Sequence, residues 1–376
     1  MATLPIPEFF SADAGQIRSE CIAFYEGLTN RKIQPAETES FLFNTWVYRE
    51  VIFRNTGNDA ALQNLAAFST FPVLDYLAQN VGIPQRIPAQ KAQSQIEFNL
   101  ITGHANMVIQ SGTRVSHPDG QPVFQVIDDT FVLSGTDSIV IPCEAVDEGT
   151  AANGFEPGLI NVLIDSFTNF DTCQNIDTTA GGSEEETDDQ LRQRIYLAPS
   201  AFSVAGPIEA YRFYALSAHP SIIDVAVEGP EVGKPYPPAG TVAIYPLTGT
   251  VPTPQSVLDA VLAQCSGTKR VPATDTVEVS APSAINYTIS VALILYNGAD
   301  DQLATSQVTD ALNLYKENKG SKLGSDIVRE QIIALCMVDG VYKPNLISPA
   351  ADIDVPNSSF GNLTSIIITI AGFTNG

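Results

Sequence analysis

A chain of 376 residues is long enough for about two to four packed cores, and with 44% hydrophobic against 16% charged residues it is too apolar to remain unfolded. Forty-two acids against 19 bases give a net charge of −23, a field that repels nucleic-acid phosphates and anionic membrane surfaces, so neither is an expected partner. Cys21, Cys143, Cys173, Cys265 and Cys336 are odd in number, widely spaced and without a C-x-x-C pair, which argues against a disulfide framework or zinc site and suits a reducing cytoplasm.

The first 16 residues lack the basic and apolar stretches of a secretory leader, and no apolar run approaches the length of a membrane span. The first 85 residues or so read as helical. Residues 36–54 carry Phe41, Leu42, Trp46, Val47, Ile52 and Phe53, a stripe broader than one core face requires. Gly57 is expected to end that helix, with Asn58 or Asp59 capping the next. Leu62, Leu65 and Phe68, then Val73, Leu74, Leu77 and Val81, continue the pattern until Gly82 and Pro84 stop it. A block this small is a poor candidate for burying so many aromatics alone. Two readings follow: a helical subdomain packed on the rest of the chain, or an arm that bundles with helices of other chains. Periodicity does not separate them.

From about residue 87 the signal turns to β, with short strands expected at 95–100, 107–109, 123–127, 130–133, 138–143 and 159–164. Their spacing, with the turn His117-Pro118-Asp119-Gly120, indicates a small sandwich or barrel-like domain. Residues 150–158 read as a surface loop. Beyond Asn175 the chain turns polar, and Thr187 with Gln190 forms a T-x-x-Q capping box. The acids at 184–189 then lie where a helix N-terminus favours negative charge. Gly206-Pro207 opens a helix reaching 218. Strands at 222–227 and 241–245 flank a proline-rich loop, 229–240, and a helix follows at 254–265. Strands at 277–279 and 287–296, helices at 301–318 and 325–337, and strands at 341–347 and 365–371 complete the pattern. The expected fold class is α+β multidomain: a helical N-terminal arm (1–85), a β-rich insertion domain (86–175), an α/β middle domain (176–275) and a C-terminal α/β domain (276–376). The last two are small units with helices on one sheet face.

The run from Ser183 to Ile195 is an acidic turn followed by L-R-x-R-I, and it resembles the signature of the baseplate J-like family. Leu74-Asp75-Tyr76-Leu77-Ala78, Gly82-Ile83 and Arg86 upstream, and Ala205-Gly206 before a helix with Ala210-Tyr211 downstream, are similar in order as well. The resemblance spans most of residues 40–300. It implies a structural baseplate wedge subunit of a contractile tail, from a bacteriophage or a phage-like injection system, with no catalysis and no cofactor. It also implies a helical arm bundled with a second copy and with a second wedge protein, and contacts with the sheath-initiator protein. C-terminal domains would close a ring around the tail hub, in a virion tail baseplate assembled in the bacterial cytoplasm. Candidate interface residues on the arm are Phe41, Leu42, Trp46, Phe53, Leu62 and Leu65.

Glu186, Thr187, Leu191, Arg192, Arg194 and Ile195 are the candidate structural junction. Arg192 and Arg194 lie two apart, leave the helix on different faces, and are each expected to fork onto a carboxylate of the 184–189 cluster. The plainer alternative is a solvated charge cluster of little energetic value. Hinges are expected at 82–88 and 178–183, where glycine, proline and serine concentrate.

Signals for catalysis are weak. His104, His117 and His219 show no metal-ligand spacing, and no nucleophile elbow, Walker loop or dinucleotide fingerprint occurs. Acid pairs such as Asp128-Asp129 arise by chance in so acidic a chain, and residues 184–189 lack the calcium-loop pattern. The competing function is a β-rich receptor-binding or adhesin tail protein. The β segment suits it, whereas the α/β second half and the lack of long β repeats oppose it.

Overall fold

The structure is a computed structural model that describes residues 5–202, 207–231, 236–267 and 276–375. It divides into two units. One holds the described residues up to Arg86 together with Leu191–Tyr196; the other holds Ile87–Gln190 and the described residues from Leu197 onward.

In the first unit, α1 (Ala14–Thr29) starts at Asp13, whose carboxylate accepts from the Gln16 amide at 2.7 Å, and stops at Asn30 in the left-handed region, φ 51. Arg31 then pairs with Glu37 and Glu39 across the turn into α2 (Thr38–Leu62). The two helices pack together, and Arg18 donates to Asn44 and Ser40 across them. The 25 residues of α2 make a rod about 37 Å long. Gly57 does not end it. The helix runs straight through, with the Phe10 ring lying where Gly57 has no side chain. Asn58 caps nothing downstream; its side chain is committed to the backbone of Phe9 and Phe10. A third helix, α3 (Val73–Asn80), buries Leu74 and Ala78.

The second unit opens with β1 (Lys91–Leu100), β2 (Met107–Ile109), β3 (Arg114–Ser116), β4 (Val123–Val126), β5 (Thr130–Val132), β6 (Ser138–Glu148), β7 (Val162–Leu163) and β8 (Phe170–Asn175). Six of them form a sheet in the order β7-β3-β4-β6-β1-β8, while β2 and β5 pair separately. The alternation of β1 sends Ala92, Ile96, Phe98 and Leu100 into one core with Val115, Phe124, Ile141, Cys143 and Cys173. Burial pushes the Cys143 and Cys173 thiols up, to about 12 and about 11.

One side chain nearly closes this sheet into a barrel. Fully buried Asn175, at the end of β8, exchanges backbone bonds with Gly158 and Ile160, just before β7. Its Oδ1 accepts from the Ile160 amide, and its Nδ2 donates to the carbonyls of Phe155, Glu156 and Asp177. Residues 150–158, expected as a surface loop, are therefore pinned. Asn153 bonds Gly182 in both directions, and Thr179 bonds Ala152 and Phe155.

After α4 (Asp188–Leu197) come α5 (Ile208–Leu216), β9 (Ile222–Glu228), β10 (Thr241–Thr248), α6 (Gln255–Cys265) and β11 (Thr276–Val279). The sheet order is β11-β10-β9, with β9 antiparallel and β11 parallel to β10, and α5 and α6 supply Tyr211, Ala215, Val257 and Val261 to its core. Ala205-Gly206 and part of the proline-rich loop lie outside the described residues. The remainder is β12 (Ser283–Tyr296), α7 (Asp301–Gly320), α8 (Arg329–Leu335), β13 (Val341–Ser348) and β14 (Ser359–Thr374). Here the order is β13-β12-β14, again with one antiparallel and one parallel neighbour, and Ala304, Val308 and Leu312 of α7 cover Ile289, Val291 and Leu293. The mixed helical and β architecture agrees with the expected class. Strands β3 and β8 escaped the sequence reading because three-residue and polar strands carry little periodicity.

Asn175→Ala leaves the buried Ile160 amide without its acceptor and takes one donor from the carbonyls of Phe155, Glu156 and Asp177, the first two of which keep a backbone donor. The expected outcome is a loss of about 3 kcal/mol of stability, read as a lower urea midpoint with an unchanged slope.

Candidate functional site

Most of the large apolar side chains of α2 are exposed. The row that turns toward its own unit, spaced three and four apart, is Ser40, Phe43, Val47, Glu50, Arg54 and Gly57. Of these only Ser40 and Val47 are fully buried, Phe43 meets Tyr25 edge-on, and Arg54 pairs with Glu50 at 2.7 Å. Two further rows are exposed, Phe41, Tyr48 and Ile52 in one and Leu42, Trp46 and Phe53 in the other, with Thr45, Arg49 and Thr56 between them. Phe41 and Leu42 are about three-fifths exposed, Trp46 is 72% exposed and Phe53 74%. Phe24 and Leu28 of α1, and Phe71 and Tyr76 around α3, are exposed to a similar degree. Two candidate residues stand apart: Leu62 is half-buried at the helix end, and Leu65 is 40% exposed. Four of the six sequence candidates are thus exposed on α2, Phe41 in the row of Tyr48 and Ile52, and Leu42, Trp46 and Phe53 in the other.

The junction residues form a second cluster. The capping box is made as expected: the Thr187 amide donates to Gln190 Oε1 at 2.9 Å, and the Gln190 amide donates to Thr187 Oγ1. Gln190 also reaches the Pro220 carbonyl. Only Asp188 and Asp189 occupy the first turn of α4. The preceding acids are not helix-terminal charges, because residues 180–186 run extended as a strap along the start of β1. Gln90 and Ser183 exchange backbone bonds, and so do Gln93 and Ala180. Buried Glu186 donates its amide to the Ile87 carbonyl while its Oε2 accepts from the Ile87 amide at 3.0 Å. Glu184 accepts from Thr150.

Within the helical unit, Leu191, Arg194 and Ile195 are buried. Arg192 reaches two carbonyls: its Nε donates to Ala66 at 2.7 Å and its Nη2 to Ser69 at 2.8 Å. Both carbonyls sit in the turns after α2, where backbone acceptors have outrun their helical partners. Arg86 makes a bidentate fork on the Asp75 carboxylate, at 2.8 and 2.9 Å, with the guanidinium also over the Phe71 ring. Its hydrogen bonds, more than its charge, hold the Asp75 carboxyl below the usual range. The histidines are turn and core residues: His104 bridges the Ala105 and Thr136 carbonyls, His117 accepts from the Asp119 amide, and burial lowers the pKa of His219. Among the described residues no cluster has the make-up of a metal site, and no helix is long and apolar enough to cross a membrane.

Three family profiles match the chain: "Baseplate J-like protein barrel domain" at residues 95–182, "Baseplate J-like central domain" at 203–281 and "Baseplate J-like protein C-terminal domain" at 287–369. The barrel match ends within the strap, at residue 182. Baseplate protein J of Escherichia phage P2 is 27% identical over 187 residues, half of this chain and 60% of that protein. The match thus spans about three-fifths of the length of that curated relative. A chain of the anti-feeding prophage baseplate, solved by cryo-electron microscopy with 6-fold symmetrisation, aligns over 92% of this chain and 90% of its own. It does so at 12% identity with a TM-score of 0.41.

Two outcomes test the junction. Arg192→Lys keeps the charge and loses the fork, and should cost about 1–2 kcal/mol in thermal unfolding. Asp75 contributes stability that is present above about pH 4 and lost as the pH falls through its lowered value. Asp75→Asn should therefore flatten the acid limb of a plot of melting temperature against pH.

Proposed function

The chain belongs to the baseplate J-like family, and on that premise we propose that it is a structural subunit of a contractile-tail baseplate, with its place in the wedge. In this reading the helical unit bundles with helices of a second copy and of a second wedge protein. The bundle touches the sheath-initiator protein, and the α/β domains meet neighbours around the tail hub.

The observation that carries the reading is the exposed apolar surface of α2. A helix this long draws most of its stability from packing its apolar side chains. Here the row toward the chain's own residues mixes Phe43 and Val47 with Ser40, Glu50 and Arg54, while six large apolar side chains in two other rows are exposed. Exposed apolar surface on that scale marks a binding face. Aromatic anchors such as Trp46 and Phe53 are the residue types that dominate interface energies, each costing about 2 kcal/mol or more when truncated at the centre of a contact.

Trp46 is the single tryptophan of the chain, so its fluorescence reports this face directly. The chain, co-expressed with the proteins encoded beside it at the tail end, should elute in a defined ratio with a partner, its emission shifted to the blue. Trp46→Ser with Phe53→Ser should leave folding within about 0.5 kcal/mol, as the exposed side chains predict, and abolish the co-elution. A chain that elutes alone as a trimer, with Trp46 still emitting as if in water, would overturn the wedge reading in favour of an adhesin.

A further inference from the structure

The C-terminal sheet ends in an edge that is chemically open. Strand β14 pairs with β12 along one side only. On its outer side, a bridge from Leu323 to Phe360 and a bond from the Gly324 amide to the Ser359 carbonyl cover the first residues. Along residues 362–373 no backbone pairing with a described residue covers that side. Alternate amides and carbonyls there face outward, a ready template for another strand. Soluble proteins usually blunt such edges with lysine or proline. The 16 residues of β14 contain no charge and no proline, and its alternation includes Ile366, Ile367, Ile368 and Ile370.

Beside this edge lies a groove of about 470 Å³, walled by the outer flank of α7 and floored by Ile370. Thr305 and Thr309 line its middle, and Asp301 and Asp310 mark its two ends. Nine residues of helix separate the two acids along the axis, about 13.5 Å. A strand covers the same distance in four residues, about 13.6 Å, and positions i and i+4 fall on the same face. We propose that the outer edge of β14 is a strand-addition site for an extended segment of a basic partner protein. That segment carries lysine or arginine four residues apart, and these reach Asp301 and Asp310.

The charge argues for a different protein over a second copy. Two β14 edges paired with each other would bring two acidic grooves together on chains of net charge −23, with only Lys316 further along the same flank of α7 to offset them. The residues of this surface are other than the exposed aromatics of α2, and the inference stands whether or not those find helical partners.

Hydrogen exchange on the full chain tests it, with two synthetic peptides as probes. One sets lysines four residues apart in a valine and threonine background; the other carries glutamate in their place. The lysine peptide should slow exchange across residues 362–374 and the glutamate peptide should not. Asp301→Asn with Asp310→Asn, both exposed or half-buried flank positions, should weaken the lysine peptide roughly tenfold without altering exchange in the core of the sheet. Three results would each overturn the proposal: no protection by the lysine peptide, equal protection by both peptides, or protection in the chain alone that grows with its concentration. The last would assign the edge to a second copy.

Discussion

Everything in the larger unit up to α4 hangs on the pairing of residues 87–93 with residues 180–186. Ile87 meets Glu186, Gln90 meets Ser183 and Gln93 meets Ala180, so the chain enters and leaves the barrel at one place. Such a zipper requires the two segments to approach more closely than side chains permit. A Cβ at Gly182 would stand 2.3 Å from the Gly149 carbonyl, and Gly181 takes φ 90. The same close approach buries Glu186, whose carboxylate is stabilised by a backbone amide. With both ends tied together, the barrel is an inserted body, and α4 begins directly after the zipper with its own capping box.

Beyond the barrel, one physical solution is used twice. A three-stranded mixed sheet is too small to bury two faces, so helices cover one of them: α5 and α6 over β9–β11, α7 and α8 over β12–β14. The cores are conventional, made of Val, Ile, Leu and Tyr. What differs is the treatment of what remains. The second sheet keeps a long uncharged edge, and the helical unit keeps an aromatic face, while its inward contacts are polar pairs such as Arg18 with Ser40 and Arg54 with Glu50. Apolar material is thus left on two surfaces, the sheet edge and the exposed rows of α2, that the chain's own described residues do not cover.

The acidity fits the same distribution. Few of the 42 acids are spent on the cores; many lie on surfaces, where their charge opposes association through exposed apolar side chains. Pairs that do form inside, Arg86 with Asp75 and Arg212 with Asp224, sit where segments distant in sequence must be held.

The sequence by itself determined the features that depend on near neighbours. The capping box of Thr187 and Gln190 closes over three residues; the amphipathic helices α6 and α7 follow from their periodicity; and the surplus of aromatics around Trp46 is visible by counting. Tertiary structure decided everything that depends on a distant partner. Gly57 reads as a helix stop, yet it continues the helix because Phe10 packs against it. Residues 178–183 read as a segment rich in glycine and serine, and only the packed chain shows that a Cβ at Gly182 would stand 2.3 Å from the Gly149 carbonyl. Arg192 reads as a partner for the acids beside it, and the packed chain adds two carbonyls more than a hundred residues upstream. The physical reason is the same in each case. Composition records which conformations and contacts a segment permits, and only the packed chain brings up the backbone groups that select among them.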